Sequence, residues 1–242
     1  MVATAFLAGL WTAGRRGPLA GIATEKVVDL GPWLILGAII GSRLLYICSY
    51  WHEAFAGKPI TELFMIWKGG LVFYGGLIGA ALAFLIYVKL KKLPVWGLAD
   101  VFAPSVPLGA FFGRIGCFLN GCCYGSPCNL PWAVRFPADN PLQPPTSPVH
   151  PTQLYDSLLN LCLYGFLAWL FRRRRFDGQV FSVYLVCYAV VRSFVETFRG
   201  DYTPAERFLG GWATPAQLVS LLILVAGLVL LLVLPRFVPR RS

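Results

Sequence analysis

The chain has 242 residues, of which 57% are hydrophobic, 15% are aromatic and only 13% are charged, and its mean hydropathy is +0.65. A soluble domain carries about 25% charged residues, so this composition excludes an ordinary soluble protein and indicates an integral membrane protein. The formal net charge of +10 does not indicate nucleic-acid binding, because the basic residues form short runs between apolar segments.

The first apolar stretch, residues 2–14, is shorter than the about 20 residues that a membrane-spanning helix needs. Arg15 and Arg16 follow this stretch, whereas the positive charges of a signal peptide precede its apolar part. Two interpretations stay open. Either the first helix crosses only part of the membrane, or the chain starts inside a longer helix.

Six further apolar segments are long enough to span, at residues 30–50, 69–88, 95–119, 153–171, 180–198 and 215–234. We expect helices throughout, because an isolated strand cannot satisfy its backbone in lipid. The predicted fold is therefore an all-α polytopic transmembrane bundle of about seven spans with a short first span, forming a single domain over residues 1–242.

The loops carry an uneven charge that predicts the topology. Alternate loops hold thirteen basic residues, in runs such as Arg172–Arg175, whereas the opposite loops hold five. The positive-inside rule then puts the richer loops and the C-terminus in the cytoplasm. The opposite, outward side includes the proline-rich stretch 137–148, which we expect to be an ordered or semi-extended surface loop.

Three arginines lie inside the apolar segments, at Arg43, Arg114 and Arg192. Each costs about 2.5–3.5 kcal/mol at the bilayer centre unless it has a partner. The acids near the segments are few, namely Asp100, Asp156 and Glu196. Any one arginine alone is consistent with an ion pair that joins helices. For the set, we favour a cavity that binds an anion, because the planar donor fork of arginine matches phosphate.

Four polar stretches interrupt the apolar pattern: GGLVFYGGLIGA (69–80), GRIGCFLNGCCYG (113–125), VHPTQLYD (149–156) and CYAVVRSFVETFRGD (187–201). In the first, the glycines suit close helix packing, and Tyr74 is a candidate for lining a cavity or for proton transfer. In the second, the glycines suggest a broken helix end, with Arg114 and Asn120 as donors to a headgroup. In the third, His150 is either a general base or, as we favour, a capping or hydrogen-bonding residue.

The fourth stretch carries Tyr188, Arg192, Glu196 and Arg199 at spacings of four, four and three, which predicts one polar stripe facing the bundle interior. Cysteines 117, 122, 123 and 128 cluster in and after the second stretch. Their spacing is not one typical of zinc sites, and we predict no metal. Two states of these cysteines remain open. In one, Cys128 forms a disulfide with Cys122 or Cys123, and in the other the cysteines are free, packed thiols.

In their order along the chain, "GGLVFYGGLIG", "GRIGCFLNGCCYG", "HPTQLY" and "YAVVRSFVETFRGD" resemble the bacterial prolipoprotein diacylglyceryl transferase family. The resemblance implies an enzyme of the bacterial cytoplasmic membrane that moves the diacylglyceryl group of phosphatidylglycerol to the lipobox cysteine of a signal-peptide-bearing prolipoprotein. Glycerol phosphate is released, no metal or organic cofactor is needed, and the active site lies near the outer face.

The resemblance also implies roles by position. Arg114 and Arg192 are the expected catalytic arginines that bind the lipid phosphate, and Tyr74 is a hypothetical proton acceptor or phosphate ligand. The expected binding residues for phosphatidylglycerol, besides Arg114, are Asn120, Gly125, Tyr188, Glu196, Arg199, His150 and Gln153.

The chain departs from the family pattern at three positions: Tyr74 replaces a histidine, Cys117 an asparagine and Cys122 a glutamate. Two alternative functions stay open. The first is a membrane transporter or channel for an anion, since broken helices and buried arginines suit a transporter as well as a channel. The second is a diverged paralogue whose cysteine cluster serves redox or metal chemistry.

Overall fold

A computed structural model of the protein describes residues 1–55, 59–137, 145–199 and 214–238. Within these ranges the chain forms eight α-helices: α1 Val2–Arg16, α2 Thr24–Ser49, α3 Phe73–Leu90, α4 Val95–Phe102, α5 Ser105–Leu119, α6 Thr152–Arg172, α7 Gln179–Glu196 and α8 Pro215–Phe237. The described residues contain no regular strand, only two isolated β-bridges to Val149. The predicted all-α class is confirmed.

Six helical stretches in the described part of the chain are long and apolar enough to cross a membrane, counting α4 and α5 together as Val95–Leu119. Each corresponds to one of the six predicted segments. The first helix, α1, has 15 residues and is not among them. Seven helical stretches, the first of them short, agree with the predicted count of about seven spans.

The segment predicted as one helix over residues 95–119 is two helices that break at Ala103 and Pro104. Proline lacks the amide hydrogen of a helix interior, and its ring clashes with the preceding turn, so the helix stops and restarts there. Pro107 lies in the first turn of α5, where a missing N–H costs nothing. The second helix also begins earlier than predicted, at Thr24, and carries Pro32 within it.

Helices that are neighbours in the bundle run antiparallel. Gly37 and Gly41 of α2 lie against Gly79 and Gly75 of α3, respectively, so the two helices run in opposite chain directions. The helices α7 and α8 are also antiparallel, because Thr214 at the start of α8 bonds Glu196 at the end of α7. One end of the bundle therefore holds the end of α5, the start of α6 and the end of α7, and we call it the signature end. The opposite end, where most of the basic runs lie, we call the basic end.

A buried carboxylate organises the basic end. Asp100 on α4 accepts backbone hydrogen bonds of 2.9 Å from both Gly178 and Phe181, and so caps the first turn of α7 from another helix. Arg174 lies 3.8 Å from the same carboxylate. Arg16 is also buried, and donates to the Val101 carbonyl at 2.9 Å. Arg16 and Arg174, assigned to loops by sequence, therefore join helices as well as adding charge.

Candidate active site

Three of the four polar stretches meet at the signature end. The Gly125 amide donates to the His150 carbonyl at 2.9 Å, and the Ser126 amide donates to the Phe198 carbonyl at 2.9 Å. The loop after α5, the entry to α6 and the end of α7 are thus joined by backbone hydrogen bonds. The expected binding residues Gly125 and His150 lie at this junction.

Gly125 is needed because the junction leaves no room for a side chain. A Cβ at this position would lie 2.6 Å from the Phe198 carbonyl oxygen and 2.6 Å from the Thr152 methyl carbon. It would also lie 2.8 Å from the His150 Cβ. Any larger residue would force the three segments apart, so the signature glycine acts through the packing of the site.

The loop after α5 turns back on itself at two residues in the left-handed backbone region. Gly121 has a φ of +70° and Cys123 a φ of +62°, which is uncommon for a residue with a Cβ. Two side chains at the start of α6 hold this turn: Thr152 donates to the Cys123 carbonyl at 3.1 Å, and Gln153 donates to the Cys122 carbonyl at 2.8 Å. The glycine-rich motif is therefore a helix as far as Leu119, and the predicted break comes after it.

Arg114 on α5 is paired with Asp156 on α6. Its Nε lies 2.7 Å from Asp156 Oδ2, with the two side chains 25% and 10% exposed. The other carboxylate oxygen accepts a 2.7 Å hydrogen bond from Asn160. The pair joins two helices, as the ion-pair interpretation has it. The contact is made through Nε, and a guanidinium has five N–H donors, of which this contact takes only part.

Arg192 is paired with Glu196, one turn later on α7, as the spacing predicts. Arg192 Nη2 lies 2.8 Å from Glu196 Oε2, and the Glu196 side chain is fully buried. Thr214 at the start of α8 donates to Glu196 Oε1 at 3.3 Å. Among the described residues, Arg192 Nη1 is buried without a hydrogen-bond partner. A buried cationic donor of this kind is suited to an anionic ligand.

Arg43 has a different environment from the other two arginines of the apolar segments. Its three nitrogens donate to four backbone carbonyls, those of Glu62, Leu63, Gly69 and Gly70, at 2.6–3.1 Å. Carbonyl oxygens satisfy the guanidinium without an acid, and they fix the segment between α2 and α3. Arg43 therefore has a structural explanation.

His150 and Gln153 are packed into the junction. His150 Nδ1 lies 3.4 Å from the Tyr155 hydroxyl, and the His150 ring contacts the rings of Tyr155 and Phe198. The hydrogen-bonding role that the sequence favoured for His150 is consistent with this contact and stays a prediction. Gln153 is buried, and within the described ranges its Oε1 has no hydrogen-bond partner.

The remaining predicted residues lie around this centre. Asn120 is exposed at the end of α5, Tyr188 is half-buried with its ring against Tyr184, and the Arg199 amide donates to the Glu196 carbonyl at 3.1 Å. Tyr74 lies at the start of α3, which packs on α2. Its side chain is 58% exposed, and its ring contacts Phe73.

All seven cysteines are free thiols in the structure, so the Cys128 disulfide that was left open is absent. Burial raises the pKa of the Cys122 thiol, but hydrogen bonds from Asn120, Cys123 and Cys117 outweigh it and leave the pKa below its usual value. The pKa of the Cys123 thiol is raised, first by burial and then by the hydrogen bond and charges of its neighbouring thiols. The Arg114 guanidinium opposes that rise.

Two supporting residues were missed in the sequence, Asn160 and Thr214. Asn160 follows Asp156 by one turn, which is a spacing that could have been recognised. Thr214 precedes Pro215 and has glutamine three residues later, the pattern of a capping box, which it forms with Gln217. The hydrogen bond from Thr214 to Glu196 is not indicated by any local sequence pattern.

Comparison with known proteins identifies the family of the chain. The family model described as prolipoprotein diacylglyceryl transferase matches residues 1–233. Relatives named phosphatidylglycerol–prolipoprotein diacylglyceryl transferase include those of Thermosynechococcus vestitus, 35% identical over 94% of this chain and 84% of the relative, and of Nitratidesulfovibrio vulgaris, 36% identical over the same shares. That of Solidesulfovibrio magneticus is 37% identical over 95% of this chain and 84% of the relative. The chain belongs to the prolipoprotein diacylglyceryl transferase family.

Proposed function

We propose that the protein transfers the diacylglyceryl group of phosphatidylglycerol to the thiol of the lipobox cysteine of a prolipoprotein, and releases glycerol phosphate. The names of its relatives support this reaction. The structural observation that carries it is the pair of arginines, Arg114 and Arg192, on helices that meet at the signature end, each held by its own carboxylate. Family membership does not favour the transporter or channel alternative.

The charge change of the reaction explains why two arginines are useful. The acceptor sulfur bonds to the glycerol carbon that carries the phosphate, and the bond from that carbon to the phosphate oxygen breaks. Glycerol phosphate leaves with the oxygen and with one negative charge more than the phosphodiester had. Fixed guanidinium groups in a water-poor site stabilise this growing charge more than they stabilise the substrate.

The two arginines are suited to different parts of this work. Arg192 offers a buried donor at Nη1, while Glu196 fixes its other terminal nitrogen. Arg114 is more exposed and is anchored through Nε, so its terminal nitrogens can bind a phosphate in the forked geometry. We assign lipid-headgroup contacts to Asn120, Tyr188 and Arg199, and the shaping of the site to the four remaining residues, Gly125, His150, Gln153 and Glu196.

A groove beside Arg192 supports binding of the acyl chains. It lies between α7 and α8, has a volume of about 410 Å³ and is lined mainly by apolar residues, among them Val190, Leu221 and Leu224. Ser193, the neighbour of Arg192, also lines it. A lipid whose phosphate is bound by Arg192 can therefore extend its chains along an apolar surface.

Tyr74 keeps its two predicted roles, proton acceptor or phosphate ligand, as a proposal from the resemblance. We further propose that residues 1–242 form one domain in the bacterial cytoplasmic membrane, with the signature end at the outer face and the C-terminus in the cytoplasm. The partners are then phosphatidylglycerol, signal-peptide-bearing prolipoproteins and the bilayer, and not nucleic acid. The positive-inside rule supports this orientation.

The test is a transfer assay with phosphatidylglycerol and a lipobox peptide, together with complementation of a strain depleted of its own diacylglyceryl transferase. We expect the unchanged chain to lipidate the peptide. Arg114→Ala and Arg192→Ala should each lower turnover by about 100–1,000-fold, the loss typical when one donor to a developing anion is removed. Arg15→Ala, at an exposed arginine on α1, is the control. Turnover that survives both changes would exclude the two-arginine mechanism.

A further inference from the structure

Three of the cysteines form a compact cluster of sulfur atoms. The Sγ atoms of Cys117, Cys122 and Cys123 all lie within 4.8 Å of one another. Sulfur ligands about 2.3 Å from a tetrahedral zinc ion lie about 3.8 Å apart. Small side-chain rotations are therefore enough to bring the three thiols to the ligand positions of a metal ion.

The backbone of the site produces this cluster, although the sequence spacing did not indicate it. Cys117 lies on the last turn of α5, and the left-handed residues Gly121 and Cys123 fold the chain back towards it. The Cys122 amide and thiol both donate to the Cys117 carbonyl, at 3.1 and 3.7 Å. Because α6 also holds the loop through two side chains, the three thiols are kept together before any ligand binds.

The cluster has the composition of an open zinc site. It consists of three sulfur ligands, and within the described ranges no histidine or carboxylate completes it. Closed structural zinc sites use four protein ligands, whereas sites that act on a substrate use three and leave the fourth position to water or substrate. Thiolates select zinc and other soft ions over magnesium and calcium.

We propose that Cys117, Cys122 and Cys123 bind one zinc-class metal ion, and that its open fourth position takes the acceptor thiol of the prolipoprotein. The metal site stands on the geometry of the cluster alone. The role of the fourth position rests on the proposed function, and it gives that function a means of activating the thiol.

The chemistry balances without a further reactant. A free cysteine thiol has a pKa of about 8.5, and coordination to a metal removes its proton, which passes to solvent. The sulfur then forms its bond to the glycerol carbon as the bond from that carbon to the phosphate oxygen breaks. The thioether that results is a poorer ligand than a thiolate, so the product is released.

Arg114 makes the position of the cluster useful. It lies three residues before Cys117, on the same face of α5. A lipid phosphate on Arg114 and an acceptor thiol on the cluster would therefore be neighbours. With the thiol activated in this way, Tyr74 keeps the second of its two predicted roles, ligand to the phosphate.

Metal binding is tested on the purified, reduced full chain in detergent, with Zn²⁺ and Co²⁺ as probes. We expect one ion per chain by elemental analysis, and thiolate-to-cobalt absorption. Cys117→Ser, Cys122→Ser and Cys123→Ser should each lower affinity by more than the about 10–100-fold lost with an outer-shell partner. A matched variant with serine at Cys48, Cys128, Cys162 and Cys187 should bind as the unchanged chain does. Unaltered binding in the cluster variants, or a disulfide within the cluster and no bound metal, would overturn the proposal.

The fourth position is tested on the cobalt-loaded chain. A lipobox peptide should change the cobalt spectrum, and the same peptide with serine for cysteine should not. Removing the metal should abolish transfer, and Zn²⁺ should restore it. Full transfer by the metal-free chain would overturn this role and leave the proposed function intact. Metal binding without transfer in any state would support the site but overturn both the acceptor role and the proposed function.

Discussion

The three arginines of the apolar segments show how one residue type serves different purposes. All nitrogens of Arg43 are occupied by backbone carbonyls, whereas Arg114 and Arg192 each use one edge for a carboxylate. An ion pair and an anion site are thus compatible in the same side chain, because the guanidinium has five N–H donors and the carboxylate takes only part of them. The two alternatives drawn from the sequence were not exclusive.

Asp156 is a positioning residue for Arg114, and we predict that Asp156→Asn lowers kcat for diacylglyceryl transfer by up to about 100-fold, the scale of a misplaced catalytic group. Asparagine keeps an oxygen for Asn160 but removes the charge facing Arg114. The KM for phosphatidylglycerol should stay the same or fall, since the arginine charge is no longer shared. Steady-state kinetics in mixed micelles measures both parameters.

The control for this change is Glu62→Gln, which removes the carboxylate of the exposed Lys68–Glu62 pair. Exposed pairs contribute about 0–1 kcal/mol, and this one lies outside the junction, so both kinetic parameters should be unchanged. If Asp156→Asn raised KM and left kcat intact, Asp156 would be acting on ground-state binding, and the positioning role would be wrong.

At the scale of elements, hydropathy predicted where helices exist better than where they stop. Four prolines lie in the apolar segments, and their effects differ: Pro32 is inside α2, Pro104 separates α4 from α5, and Pro107 and Pro215 lie in the first turns of α5 and α8. The break lets Asp100, near the end of α4, cap α7 from the side. Whether a proline ends a helix depends on tertiary contacts of this kind, and the residues that make them are distant in sequence.

The crossing of α2 and α3 depends on glycine at the contact, and we predict that Gly79→Ala weakens it. A Cβ on Gly79 would fall on the Gly37 carbonyl oxygen and lie 2.9 Å from Gly41 Cα. The obstacle is backbone, which cannot rotate away, so the loss should be at least the about 1–3 kcal/mol typical of overpacking. Thermal unfolding of the purified protein in one detergent gives the measurement.

Gly165→Ala on α6 is the matched control, because a Cβ there would meet nothing within 4 Å. Alanine is the better helix former by about 1 kcal/mol, so this variant should be as stable as the unchanged chain or more stable. Equal unfolding temperatures for Gly79→Ala and Gly165→Ala would show that the crossing tolerates a wider separation than the structure has.

At the scale of the molecule, the residue types of the site were predictable and their meeting was not. The Arg192–Glu196 pair follows from helical spacing, but Ser126 and Phe198, which close the junction, are 72 residues apart. The close approach of the Cys117, Cys122 and Cys123 sulfurs could not be predicted from their spacing for the same reason, because it depends on the backbone turn at Gly121 and Cys123. Local patterns identify the parts of a site, whereas the tertiary contacts bring them together.

The orientation in the membrane is the largest prediction, and cysteine labelling tests it. In a cysteine-free chain, Asn129→Cys marks the signature end and Lys91→Cys the basic end, and both positions are exposed. A membrane-impermeant maleimide should label Asn129→Cys in intact spheroplasts, and Lys91→Cys only after permeabilisation. The physical reason is the excess of basic residues in the loops of the basic end, which the translocation machinery retains on the cytoplasmic side. Because lipobox peptides emerge at the outer face, labelling of Lys91→Cys in intact spheroplasts would put the arginine pair on the wrong side of the membrane for its substrate.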